Sequence, residues 1–198
     1  MATERHEDLT AKARDYLHAR GTRVAARVVH ERVAAAFTAL DETLDKVTPA
    51  QVSARPLPGE WTVQEVVDHL IETHRPGVDE LRCLLAGQRP PGDAIPASLL
   101  SKAPALRPWS WLRRELRHVH DDILGLLAPV PDDFETSARA PLVMVVNAPG
   151  TDGGMVQVHW VEELDWKAYA ITWRLHALDH RNQIHKILSA MATAAAPA

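Results

Sequence analysis

The sequence predicts an all-α protein: a four-helix bundle with a short N-terminal helix and a small β-hairpin between the third and fourth bundle helices. Four long stretches carry apolar residues at the spacing of one face of an amphipathic helix. Between the last two stretches lie two short runs rich in β-branched residues, which predict the hairpin. We expect a helical extension over residues 1–21 and a bundle domain over residues 22–194, with residues 131–165 as the insertion.

The N-terminal part of the chain predicts two helices of different length. Residues 5–19 are highly charged and predict a short helix that ends at Gly21. From about Thr22 to Lys46, apolar residues recur at helical spacing and predict the first bundle helix. Prolines within residues 48–59 then break the chain.

The second bundle helix has a clear start signal. Thr62, with Glu65 three residues later, is a capping box, which predicts that the helix begins there. It is expected to run to about Arg75, where Pro76-Gly77 interrupts or kinks it, and apolar spacing resumes through Leu81, Leu84 and Leu85. Trp61 is expected to pack at the entry to this helix.

The C-terminal half predicts two more helices and the hairpin. Apolar spacing from Leu112 to Leu126 predicts the third bundle helix. The runs 141–147 and 156–160 predict the two strands, joined by a turn within residues 149–154. The last helix is expected to start with Asp165 as its cap and to reach about Met191.

Composition excludes several functional classes. The formal charge of -4 gives no electrostatic case for nucleic acid, and no apolar run reaches the ~18 residues of a membrane span. The charged N-terminus lacks the hydrophobic region of a signal peptide, and Cys83 is the single cysteine, so a cytoplasmic location is expected. The 11 histidines direct attention to histidine chemistry.

Two histidines share one face of the predicted last helix. His176 and His180 are four residues apart, which at ~100° per residue separates them by only ~40°. They lie in an apolar arc with Trp173 and Ile184, and buried imidazoles need polar partners. One metal ion could satisfy both rings; the alternative is two core histidines that are bonded to other groups.

A metal site needs at least three protein ligands, so a third must come from another element. On the second bundle helix, His74 lies nearer the middle of the apolar arc and His69 lies at its edge. Periodicity alone therefore slightly favours His74. The further candidates are His118, His120 and His159.

Two segments resemble one protein family. Residues 58–70, ProGlyGluTrpThrValGlnGluValValAspHisLeu, resemble the second-helix signature of the DinB-like/YfiT-like superfamily, in which a Trp-Ser/Thr capping turn precedes a histidine. Residues 175–184 resemble its last helix, His-x-x-x-His-Arg-x-Gln-Ile. The resemblance covers most of residues 24–193 and leaves the N-terminal segment and the hairpin unexplained.

The resemblance implies a metalloprotein. It implies a four-helix bundle, often a homodimer, with three histidines around one divalent metal ion: His69, His176 and His180. Imidazole ligation suits Zn, Ni or Fe, and three protein ligands leave coordination positions open, as in catalytic sites. Gln183 lies on the histidine face and is predicted as a catalytic residue that orients a ligand or bound water, or else as a hydrogen-bond partner of a ligand.

The resemblance further implies an enzyme, a thiol-dependent S-transferase or isomerase that acts on a small electrophilic substrate with a low-molecular-weight thiol as cosubstrate. One alternative is a non-catalytic metal-binding or regulatory bundle, whose site could be closed by a fourth ligand such as His74 or His159. A third is a metal-dependent hydrolase, which uses water instead of a thiol. Ala177 stands where metalloproteases carry a glutamate base, which argues against peptide hydrolysis by that scheme.

Overall fold

The computed structural model describes residues 2–149 and 154–195, and within them the predicted four-helix bundle is confirmed. In chain order the helices are α1 (Ala2–Asp15), α2 (Ala26–Leu44), α3 (Pro49–Val52), α4 (Val63–Leu85), α5 (Trp109–Leu127) and α6 (Trp166–Ala195). A π-helical turn at Tyr16–Arg20 follows α1, and a 3₁₀ turn at Pro104–Leu106 precedes α5.

The bundle is formed by α2, α4, α5 and α6. Helix α2 packs against α5 and α6, and α4 packs against the same two helices, so the four enclose one core. Fully buried side chains from all four helices fill it, among them Leu40, Leu70, Ile123 and Ile171. Within the described residues, no helix combines the length and apolar character needed to cross a membrane.

Helix α4 begins as predicted. The Thr62 hydroxyl accepts a hydrogen bond from the Glu65 backbone N–H, and the Glu65 carboxylate accepts one from the Thr62 backbone N–H at 2.7 Å. A second capping box, formed by Thr48 and Gln51, starts α3 in a segment where only a chain break was expected.

This helix does not end at Arg75: α4 continues through Pro76 to Leu85, over the stretch where the apolar spacing resumes. Proline removes one helical hydrogen bond. The next residue, Gly77, lets α6 approach closely: a Cβ there would lie 2.9 Å from Cζ2 of Trp173 and 3.0 Å from Oη of Tyr169. Helix α6 therefore packs directly on α4 at the residue that follows the proline.

The insertion between α5 and α6 is one antiparallel hairpin. Its strands are β1 (Ala140–Pro149) and β2 (Met155–Leu164), with Ala140 opposite Leu164. Both strands are longer than predicted; the predicted turn lies largely in residues 150–153, outside the described ones. Asp165 caps α6 as expected, because its Oδ1 accepts a hydrogen bond from the Ala168 N–H at 2.8 Å.

The N-terminal segment contacts the hairpin. Arg14 Nε donates to Oε2 of Glu162 at 2.6 Å, and His18 Nε2 lies 3.0 Å from Oε1 of the same carboxylate. The extension and the insertion, the two parts that the family resemblance leaves unexplained, therefore contact each other. The proposed domain boundary after residue 21 stays a prediction.

Candidate metal centre

Helices α4 and α6 bring together His69, His176 and His180. Nε2 of His176 lies 3.0 Å from Nε2 of His69 and 2.9 Å from Nε2 of His180. One potential ligand atom from each of the three rings lies within 4.8 Å of the others. The four-residue spacing on α6 and the contact between α4 and α6 therefore produce one cluster.

The opposite nitrogen of each ring already has a partner. Nδ1 of His69 lies 2.8 Å from the backbone carbonyl oxygen of Leu99, Nδ1 of His176 lies 3.0 Å from Nε2 of His74, and Nδ1 of His180 lies 2.7 Å from Oε1 of Gln183. A carbonyl oxygen can only accept, so His69 and His180 carry their hydrogen on Nδ1 when neutral. Their Nε2 lone pairs are then free to bind a cation.

Helix α4 also holds the loop that supplies the Leu99 carbonyl. The buried carboxylate of Asp68 accepts hydrogen bonds from the Ser101 N–H and hydroxyl, both at 2.8 Å, and from Arg107 Nη1 at 3.0 Å. One turn earlier, Gln64 Nε2 donates to the Arg107 carbonyl oxygen at 2.8 Å. The loop over residues 99–107 is thus attached to the helix that carries His69.

Burial keeps the three rings neutral. Burial, with a contribution from nearby His180, lowers the pKa of His69 to about 4. Burial also lowers the pKa of His176 well below its ordinary value and lowers that of His180. All three imidazoles are therefore neutral at neutral pH and can act as metal ligands.

One tryptophan ring packs against this cluster, and a second packs against His74. The Trp61 ring centroid lies 4.8 Å from that of His69 and 6.1 Å from that of His180, where the planes are only 17° apart. The expected role of Trp61 was to pack the entry to α4, and contact with two candidate ligands adds to it. Trp173 is buried in the core as expected, with its ring centroid 6.2 Å from that of His74.

The remaining candidate histidines lie elsewhere. His74 is buried, and its Nε2 contacts Nδ1 of His176 instead of the Nε2 cluster. His120 is buried in the core and stacks on Phe37, whereas His118 and His159 are exposed. Among the described residues, no fourth His, Cys, Asp or Glu atom joins the group within 4.8 Å.

Gln183 contacts a candidate ligand. Its side-chain oxygen accepts the hydrogen on Nδ1 of His180 at 2.7 Å, one of the two roles expected for it. A direct catalytic role stays a prediction.

The donor set fits a divalent transition-metal ion. Three neutral imidazoles whose Nε2 atoms lie together, and whose Nδ1 atoms each contact a partner, match the way metal-ligating histidines are held in proteins. With three protein donors, such a site keeps room for an exogenous ligand. Sequence reasoning did not identify the Leu99 carbonyl or the His74 contact, since both depend on how the chain folds around α4.

Comparison with known proteins places the chain in a family. Residues 32–165 match the model of the DinB superfamily, a range that contains His69 and ends before α6. No curated protein matches the chain.

Two solved structures are similar to this chain over most of its length. YfiT from Bacillus subtilis, described as a probable metal-dependent hydrolase with an unusual four-helix bundle topology, shares 17% identity at a TM-score of 0.57, over 84% of this chain and 87% of its own. A putative DinB family member from Exiguobacterium sibiricum shares 14% identity at a TM-score of 0.49, over 84% and 91%. With its central 134 residues matched by the family model, this chain belongs to the DinB superfamily.

Proposed function

We propose that this protein is a divalent-metal-dependent enzyme in which His69, His176 and His180 hold the ion. The observation that carries the proposal is the arrangement of the six ring nitrogens: three Nε2 atoms lie together, and each Nδ1 contacts its own partner.

A bound divalent ion would act there as a Lewis acid that polarises a substrate or lowers the pKa of a coordinated water or thiol. The protein's own groups would hold the ligands in place. The Leu99 carbonyl and the Gln183 amide keep two rings in the tautomer that leaves Nε2 free. Trp61 packs beside these two rings.

The nucleophile defines two versions of the proposal. In the first, a low-molecular-weight thiol is the cosubstrate and the protein transfers it to, or isomerises, a small electrophilic substrate, as the resemblance of residues 58–70 and 175–184 implies. In the second, water is the nucleophile and the protein is a hydrolase. The description of YfiT as a probable metal-dependent hydrolase, together with its similar fold, supports the second version.

The test of the metal centre is elemental analysis of tag-free protein. We expect about one Zn, Ni or Fe per chain in the wild type and a loss of metal in His69→Ala and His180→Ala. His185→Ala is the matched control, because His185 lies exposed on the same helix as His180. A wild-type protein that holds no metal after reconstitution would contradict the proposal.

Turnover of electrophilic substrates with and without added thiol separates the two versions. Dependence on thiol supports the transferase, and turnover in water alone supports the hydrolase. Metal binding without either activity would favour the non-catalytic bundle. We also propose a cytoplasmic homodimer, which sedimentation of the purified protein and fractionation of expressing cells would test.

A further inference from the structure

A second pair of buried histidines, His74 and His120, lies next to the candidate ligands. His74 on α4 is 1% exposed and His120 on α5 is 6% exposed. Their ring centroids are 5.5 Å apart. Among the described residues, Nδ1 of His74 and Nε2 of His120 are buried with no hydrogen-bond partner. Buried nitrogens without partners are costly, so this pair requires an explanation.

His74 is joined to the candidate metal centre through one contact. Its Nε2 lies 3.0 Å from Nδ1 of His176. One of these two nitrogens must carry a hydrogen and the other must accept it, because both rings are neutral. The direction of this hydrogen bond therefore depends on the tautomer of His176.

Without a metal ion, the short contacts in the cluster set that tautomer. His69 and His180 carry their hydrogens on Nδ1, so their Nε2 atoms are acceptors. Nε2 of His176, at 3.0 and 2.9 Å from them, must then carry the hydrogen that these contacts share. Nδ1 of His176 is left as an acceptor, and His74 donates from Nε2.

When a metal ion binds, the hydrogen bond between His74 and His176 reverses its direction. The ion needs the Nε2 lone pair of His176, so the hydrogen on that nitrogen is released to solvent. Nδ1 of His176 takes the hydrogen of His74 across their 3.0 Å contact and donates it back to Nε2 of His74, while Nδ1 of His74 takes up one proton from solvent in exchange. The hydrogen of His74 is then on Nδ1, where it needs a new acceptor. Each ring carries one hydrogen before and after, so the two rings take up no net proton.

We propose that His74 is a positioning residue that switches tautomer together with His176 when the metal ion binds, and that Nε2 of His120 serves as the acceptor for Nδ1 of His74 in the metal-bound protein. This inference rests on the proposed metal centre. His120 is suited to the role because its ring is held by stacking on Phe37, with centroids 3.6 Å apart and planes at 3°. Three bundle helices, α6, α4 and α5, are thereby linked through His176, His74 and His120.

The direct test is long-range 1H–15N NMR correlation of histidine side chains, with and without Zn²⁺, which is diamagnetic. We expect the protonated nitrogen of both His74 and His176 to change from Nε2 to Nδ1 when Zn²⁺ is added. A His74 ring that keeps the same protonated nitrogen in both states would overturn the inference.

Zn²⁺ affinity, measured by competition with a chelating dye, provides a second test. His74→Leu removes the acceptor and should weaken Zn²⁺ binding by about 10- to 100-fold. His74→Gln places an amide oxygen near the position of Nε2 and should restore affinity to within about threefold of the wild type. His120→Phe keeps the stack on Phe37 but removes the second acceptor, and should weaken binding about tenfold.

The outcomes separate this inference from the proposed function. Unchanged Zn²⁺ affinity in His74→Leu, with binding abolished in His176→Ala, would overturn the inference and leave the metal centre intact. A wild-type protein that binds no Zn²⁺ would overturn both. Equal weakening in His74→Leu and His74→Gln, with both variants folded by circular dichroism, would assign His74 a packing role only and would also overturn the inference.

Discussion

The backbone carbonyl of Leu99 and the side chain of Gln183 each orient one candidate ligand ring. Each accepts the Nδ1 hydrogen of a candidate ligand, at 2.8 Å from His69 and 2.7 Å from His180. A backbone acceptor cannot be removed by substitution, whereas Gln183 can be replaced. Gln183 is therefore the position at which the orientation of a ligand can be tested without changing the ligand itself.

Replacing Gln183 should weaken metal binding without abolishing it. In Gln183→Leu the Nδ1 hydrogen of His180 loses its acceptor, and we expect the metal dissociation constant to rise by about 10- to 100-fold. Gln183→Glu keeps an oxygen acceptor at the same reach and should bind metal at least as tightly as the wild type. Equal affinities in the wild type and Gln183→Leu, measured by dye competition, would show that this bond does not orient the ring.

Periodicity predicted the spacing on one helix but could not choose between two histidines on another, where only the family resemblance favoured His69. His176 and His180 share a face because four residues are close to one helical turn. On α4, His69 and His74 are both 1% exposed, so burial does not separate them. The rotation of α4 against α6 decides which ring reaches the cluster, and that rotation depends on tertiary packing.

The polar edge of α4 determines the position of the loop over residues 99–107. Asp68 precedes His69 and accepts three hydrogen bonds from that loop, while its own side chain is fully buried. This loop carries the Leu99 carbonyl. A change that loosens this loop should therefore also change the orientation of the His69 ring.

Asp68→Ala should lower both stability and metal affinity. Loss of hydrogen bonds to a buried carboxylate should reduce the free energy of unfolding by about 3 kcal/mol, and the freed loop should weaken metal binding. Ser101→Ala, which removes one hydroxyl donor to the same carboxylate, should cost only about 1 kcal/mol. Urea denaturation and dye competition measure the two effects. A smaller loss in Asp68→Ala than in Ser101→Ala would contradict the argument.

Two glycines within helices should respond oppositely to alanine. At Gly77 a Cβ would meet Trp173 and Tyr169 at 2.9 and 3.0 Å, so Gly77→Ala should lower the free energy of unfolding by about 1–3 kcal/mol. At Gly125 on α5 a Cβ meets nothing within 4 Å, so Gly125→Ala should raise it by up to about 1 kcal/mol. Thermal denaturation checks both. A stabilising Gly77→Ala would mean that α6 can move away from α4 at little cost.

Capping residues made the starts of two helices, α4 and α6, readable from the sequence. The capping box at Thr62 is a pattern of neighbouring residues, so the start of α4 was readable from the sequence. Apolar spacing at Leu81, Leu84 and Leu85 indicated that the helix resumes after Pro76-Gly77, but its unbroken passage through Pro76 was not readable from local signals. Residues 99–107 show no periodic pattern of apolar residues from which their path could be predicted. Their position depends on hydrogen bonds to side chains of α4.

For the protein as a whole, buried neutral histidines make the metal-free fold sensitive to acid. Burial lowers the pKa of His120 to about 3; Phe37 and His74 are its ring neighbours. In the unfolded chain this ring takes up a proton below about pH 6.5, while in the folded protein it stays neutral. The stability that the protein gains by holding His120 neutral is therefore complete above pH 6.5, and it is lost as the pH falls toward 3.

His120→Phe should make the metal-free protein less sensitive to acid. The lowered pKa of His120 should reduce the free energy of unfolding of the wild type by about 2 kcal/mol between pH 7 and 5. Because the variant lacks this imidazole, its free energy of unfolding should fall by about 2 kcal/mol less over the same range. His118→Gln, an exposed position on the same helix, is the control and should follow the wild type. Urea denaturation at the two pH values measures the difference; parallel losses in all three proteins would contradict the assignment.

The contact between α4 and α6 at the histidines has a further consequence for how the chain unfolds. His69 and His176 are 107 positions apart along the chain, so an ion held by both would act as a reversible cross-link that closes a long loop. Closing such a loop removes entropy from the unfolded chain, and a ligand that binds only the folded state adds stability with its free concentration. The lifetime of the folded protein would then follow the supply of metal in its surroundings, and chelation would shorten it.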